Sequence, residues 1–142
     1  TVPGDFKRRS KIAAAAAEAF GKLDDCQSAQ QLLAESLNAH WDSDLVTLYG
    51  ECHGDNCTSQ IDQAERWLKE HVADAGLLLA LGKLCICQGL WGKAQSYLEA
   101  SLSIKSSSAA YSALGQLAEK MGKHEEARAY FQKAIQAGHL VR

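Results

Sequence analysis

The chain has 142 residues, 23% of them charged, and a net charge of −2, enough for one domain that buries roughly two-thirds of its unfolded surface. The near-neutral balance removes the electrostatic basis for nucleic acid as the main partner, because domains that bind it carry a strong basic excess. No apolar run reaches the roughly 18 residues that span a bilayer, and Ala75–Leu81 falls far short. Ala, Leu, Gln, Glu and Lys dominate, and Pro3 is the single proline, which is a helical composition.

The chain begins at Thr1 rather than at a methionine and is expected to be a fragment or a processed form. Lys7-Arg8-Arg9 with Lys11 reads as a solvated helix start, with contact to acidic lipid or protein as the other use. Lys11–Lys22 is an alanine-rich helix; its Ala13–Ala17 run, followed by Glu18, lacks the leucine bulk of a secretory leader. Ala29-x-x-Leu32-Leu33-Ala34-x-Ser36-Leu37 is the helix that returns against it.

A second, weaker pair follows. Leu48-Tyr49-Gly50 marks its first helix and Ala64-x-x-Trp67-Leu68 its second. Between them lies Cys52-His53-Gly54-Asp55-Asn56-Cys57, a glycine-containing turn.

The third pair is the best formed. Its first helix is expected over Ala75 to Gln88, with Leu78, Leu81, Leu84 and Cys85 recurring at three- and four-residue spacing. Gly89 stops it, as glycine does at a C-terminal cap. The second helix runs from Trp91 to Ile104, with Ala94, Tyr97, Leu98, Ser101 and Leu102 inward. Ser106-Ser107-Ser108 supplies a turn and an N-cap. Sliding this pair by 33 residues reproduces it: Ala80-Leu81-Gly82-x-Leu84, Gly89, Ala94 and Tyr97 return as Ala113-Leu114-Gly115-x-Leu117, Gly122, Ala127 and Tyr130. Identities at one fixed offset, mostly small or apolar, mark a repeated structural unit.

Two antiparallel helices approach closely only where a small side chain faces the partner. Gly82 or Gly115 in the first helix and Ala94 or Ala127 in the second supply those points, and the bulky pairs Tyr97-Leu98 and Tyr130-Phe131 fill the space beside them. The expected fold is therefore all-α: eight helices in four hairpins, over residues 10–40, 43–73, 75–105 and 108–138, stacked as a right-handed α-solenoid.

These residues resemble the tetratricopeptide repeat, whose unit is about 34 residues. The prolines that often close such units are replaced by Ser106 and His139. A finer resemblance runs through Leu48-Tyr49-Gly50, Ala64–Lys69, Leu77–Gly82 and above all Leu90-Trp91-Gly92-Lys93-Ala94 with Tyr97–Leu102. These segments are similar to the C-terminal half of HemY-type proteins, Gram-negative tetratricopeptide proteins linked to haem biosynthesis. That resemblance implies a bacterial inner-membrane protein anchored by two N-terminal transmembrane helices outside this sequence, with the repeats on the cytoplasmic side. It also implies a non-catalytic protein-interaction scaffold, with haem-pathway enzymes or other envelope proteins as partners. The flavin-dependent protoporphyrinogen oxidase that shares the family's name is a different protein, and the G-x-G-x-x-G fingerprint such an enzyme needs is absent.

Five cysteines (26, 52, 57, 85 and 87) cannot all pair, and several fall within helical patterns, so a reducing compartment is expected. Cys52, His53 and Cys57 could give three ligands to zinc, which prefers four in a structural site; an incidental turn is the simpler reading. Cys85 and Cys87 point about 200° apart on a helix and cannot share a metal. His40, His71, His124 and His139 all fall near helix ends, where imidazole meets unpaired carbonyls. No Ser-His-Asp set or paired carboxylates stand out, so no catalysis and no cofactor are expected. Direct haem, porphyrin or metal binding through Cys and His is the alternative.

The concave wall built by the first helix of each hairpin is the expected binding face for a protein or peptide. Stepping off the buried stripe places Leu79, Lys83, Ile86 and Cys87 there, then Ser112, Gln116, Glu119 and Lys120, with Thr47 and Glu51 before them. Leu79–Lys83–Ile86 would suit an amphipathic helix or extended peptide unless a neighbouring repeat covers it. The carboxylate clamp by which some tetratricopeptide domains hold chaperone tails finds Thr47, Glu51, Ala80, Lys83, Ala109 and Ala113 at its positions. Only Lys83 could serve, so that reading is rejected.

Overall fold

The computed structural model describes residues 3–51 and 57–140, in which the chain forms eight helices and no strand. They are α1 (Pro3–Lys22), α2 (Cys26–Ala39), α3 (Ser43–Tyr49), α4 (Thr58–Leu68), α5 (Ala75–Cys87), α6 (Trp91–Ile104), α7 (Ser108–Lys120) and α8 (His124–Leu140). Three consecutive pairs pack closely, α1 with α2, α5 with α6 and α7 with α8, whereas α3 and α4 meet mainly through α5. Each pair then leans on the next, α2 on α3, α3 and α4 on α5, and α6 on α7. This is the expected solenoid.

The helix starts follow from short polar side chains. Asp25, Asp42, Asp74 and Ser107 each accept a backbone N–H of the first turn, satisfying donors that have no partner inside the helix. The turns inside the hairpins share another device. Gly89 and Gly122 both have φ of +77°, and the next residue donates back across the turn: Leu90 N–H to Cys85 O and Lys123 N–H to Ala118 O, both at 2.8 Å. In the first hairpin Asp24 takes that place at φ +60°, with Asp25 N–H on Phe20 O at 2.8 Å. A side chain in this left-handed region costs energy that glycine avoids. Asp24→Gly is therefore expected to stabilise the fold by about 0.5–1 kcal/mol, read as a melting rise of about 2–4 °C.

The glycines behave as the repeat demanded. A methyl group on Gly82 would stand 2.4 Å from Leu98 Cδ2, and one on Gly115 would stand 2.7 Å from Phe131 Cε1. Both glycines thus receive the second bulky residue of their own hairpin partner. Ser101, inward as expected, donates from Oγ to Ala75 O at 2.8 Å and pins the end of α6 to the start of α5. Gly50 differs. A methyl there would meet Ala80 Cα at 2.7 Å, so α3 abuts the next hairpin's backbone at this point.

Helix α5 is the centre of the stack, touching α3, α4, α6 and α7. From Leu77 to Ile86 only Lys83 escapes burial. This corrects the expected Leu79–Lys83–Ile86 surface patch: Leu79 and Ile86 are each 7% exposed, inside the core. Four neighbouring helices leave α5 almost no outward face, and a helix apolar nearly all round belongs in an interior.

Candidate groove on the inner wall

The first helices of the hairpins form one wall, and the structure distributes the expected site residues along it. Glu51, Gln116, Glu119 and Lys120 are exposed, and Thr47, Lys83, Cys87 and Ser112 are half-buried. Two of them meet: Lys83 Nζ lies 3.4 Å from Glu51 Oε1, linking α5 to the turn that follows α3. Thr47 donates its hydroxyl to Asp44 O at 2.7 Å and is spent within its own helix.

The open space lies elsewhere, between α1 and α3. A cavity of about 440 Å³ is lined by Ser10, Lys11, Ala14, Asp42, Asp44, Leu45 and Leu48. A second of about 310 Å³, lined by Ala17, Glu18, Gly21, Cys26, Leu33, Leu48 and Glu51, shares the Leu48 wall. The cause is side-chain size. Helix α1 offers alanines towards Leu45 and Leu48, too short to fill the gap, and it touches α3 far less than α5 does. The sequence reading placed none of Ala14, Ala17, Glu18, Asp44 or Leu48 in a site. The signal was the Ala13–Ala17 run itself, whose five alanines let α1 close on α2 but are too short to reach across to α3.

The candidate zinc ligands of the Cys52–Cys57 turn were Cys52, His53 and Cys57. Cys52 and His53 lie outside the described residues, and Cys57 is fully buried at the N-cap of α4. Its N–H donates to Gln88 Oε1 at 3.0 Å. Burial pushes its thiol up to about 12, reinforced by a hydrogen bond with Cys87 and by the nearby Cys85. Burial likewise raises Cys85 to about 11. A thiol held protonated is a poor nucleophile. Among the described residues, no three His, Cys, Asp or Glu side chains come together as a metal site. Cys26, at the half-exposed start of α2, is disulfide-bonded.

The joints between hairpins carry the polar and aromatic order. Asp74 accepts from Trp41 Nε1 and Ser43 Oγ, each at 2.7 Å, and from Leu77 N–H at 3.0 Å. His71, expected near helix-end carbonyls, lies flat on Trp41 with ring centroids 4.0 Å apart. Trp67 donates from Nε1 to Asn38 Oδ1 at 2.8 Å. On the outer side Tyr97 donates its hydroxyl to Glu65, which also pairs with Lys93 at 3.0 Å. Burial and the Glu65 carboxylate together hold the Tyr97 hydroxyl protonated well beyond its usual range.

Residues 108–137, the α7–α8 hairpin, match the tetratricopeptide repeat model. Solved structures of MamA share the architecture. "MamA MSR-1 C2" has a TM-score of 0.62 at 18% identity, covering 94% of this chain and 79% of that one. "Crystal structure of MamA" has 0.61 at 21%, covering 92% and 78%. "MamA AMB-1 C2221" has 0.57 at 20%, covering 90% and 78%. At these identities the likeness is one of fold. No curated protein sequence matches the chain. No helix among the described residues is long and apolar enough to cross a membrane.

Proposed function

We propose that this tetratricopeptide-type solenoid is a non-catalytic scaffold that takes a segment of another protein along its inner wall. The observation that carries the proposal is the open trough between α1 and α3, apolar along Ala14, Ala17, Leu45 and Leu48 and rimmed by charged side chains. Concave, largely apolar surfaces with a few polar groups are the usual form of a binding site, and helix grooves suit amphipathic segments. The tetratricopeptide match over 108–137 agrees with such a role.

A finer proposal rests on the sequence resemblance alone: partners among haem-pathway enzymes, and a place on the cytoplasmic side of a bacterial inner membrane within a HemY-like protein. Fractionation of the native protein with thiol trapping decides the placement. Of the residues in the alternative reading, direct haem or metal binding, Cys57 is fully buried and Cys52 and His53 lie outside the described residues.

The test is capture of partners by the chain, by Leu48→Asp in the trough, and by Arg128→Glu on exposed α8. A partner lost with Leu48→Asp and kept with Arg128→Glu supports the scaffold reading. Equal capture by all three contradicts it.

A further inference from the structure

Resting on that reading, we infer that the α1–α3 trough selects a segment that alternates leucine-type side chains with lysine or arginine. The floor and the rim argue for the two halves of that chemistry separately. Leu48 stands in both cavities, so about 440 and 310 Å³ adjoin along one apolar seam with Ala14 and Ala17 opposite. Space between packed helices that short alanines leave unfilled is filled by a partner's larger apolar side chains.

The rim is acidic. Among the described residues, Glu18, Asp42, Asp44 and Glu51 line the trough together with the cation Lys11. Asp42 already accepts the first N–H groups of α3, and Glu51 leans towards Lys83 at 3.4 Å. Glu18 and Asp44 are exposed, one on each bank. Glu18 shares its cavity with Glu51, and Asp44 shares the other with Asp42 and Lys11, so the carboxylates are spread along the trough. An apolar floor edged by carboxylates attracts a cationic segment and repels an acidic peptide. A basic amphipathic helix meets both conditions, because residues three and four apart share a face and leave its charges at the flanks.

The probe is a fluorescently labelled 18-residue helical peptide of leucine and lysine, beside its leucine and glutamate counterpart, with binding followed by anisotropy. The lysine peptide is expected to bind saturably, and the glutamate peptide at least tenfold more weakly. Glu18→Lys with Asp44→Lys changes exposed positions only and should weaken the lysine peptide at least tenfold. Leu48→Asp separates seated binding from diffuse attraction: it adds negative charge yet should also lose the peptide. Circular dichroism confirms that each variant keeps its helix content. Tighter lysine-peptide binding by Leu48→Asp, or binding indifferent to Glu18→Lys with Asp44→Lys, overturns the inference. Preference for the glutamate peptide with the same dependence on Leu48 keeps the trough as a binding face and overturns the basic partner alone.

Discussion

Gly50→Ala is expected to lower stability by about 1–3 kcal/mol, a melting drop of about 3–10 °C, although it adds a single methyl group. That methyl would stand 2.7 Å from Ala80 Cα and 3.0 Å from Ala80 O. Those are backbone atoms of α5, the helix packed on four others, and they cannot swing aside as a side-chain tip does. Alanine favours helix over glycine by about 1 kcal/mol, so intrinsic propensity pushes the other way. A fall in melting temperature therefore reports the steric contact between hairpins. Gly92→Ala is the control: the glycine is exposed, nothing lies within 4 Å of its added methyl, and its melting point should hold or rise.

Asp74→Ala should cost about 2–4 kcal/mol, or roughly 6–14 °C, because one carboxylate ties three elements together. It caps α5 through Leu77, accepts Ser43 at the start of α3, and receives the indole N–H of Trp41. Truncation leaves the Trp41 donor half-buried and removes the cap. The same carboxylate predicts an acid dependence. Burial raises its pKa, but hydrogen bonds from Ser43, Trp41, Leu77 and Gly76 outweigh burial and hold it below the ordinary value of 3.8. Since the folded pKa is the lower one, the stability contribution is complete above the unfolded value and is lost as pH falls through the folded one. Unfolding free energy followed from pH 5 downward should therefore drop more steeply in the parent than in Asp74→Asn. Superimposable acid limbs would remove Asp74 from that role.

The architecture was legible where one residue type has one physical reason. Gly82, Gly115, Gly89 and Gly122 mark close approach or left-handed backbone, and Ser107 marks a helix start. The structure gives each of them that task. The wall was harder to read. Periodicity names the stripe a helix buries against its partner, but it cannot count the neighbours on the other side. Leu79 and Ile86 were therefore placed outside, although the unbroken apolar run of α5 was itself the sign of a helix enclosed on all faces. The trough was invisible for the opposite reason. It exists because alanines in α1 are too small, and an unfilled space has no residue of its own to announce it.

Cys57 shows a third limit. Its spacing from Cys52 and His53 suggested ligands, yet it begins the second helix of its hairpin, the place Leu90 holds in the next unit. Aligned on the repeat, it reads as a packing residue. Leu90 stays 39% exposed while Cys57 is wholly covered, so equivalent positions of two repeats differ in burial.

The most direct test of the inner wall as the binding face is an amide chemical-shift titration of the labelled chain with the leucine–lysine peptide. Saturable shifts are expected to cluster on α1 and α3, around Ala14, Ala17, Leu45 and Leu48. The outward residues Arg66, Gln95 and Arg128 on α4, α6 and α8 should stay still. Shifts centred on those outward helices, with α1 and α3 unmoved, would contradict a scaffold that works through its concave side.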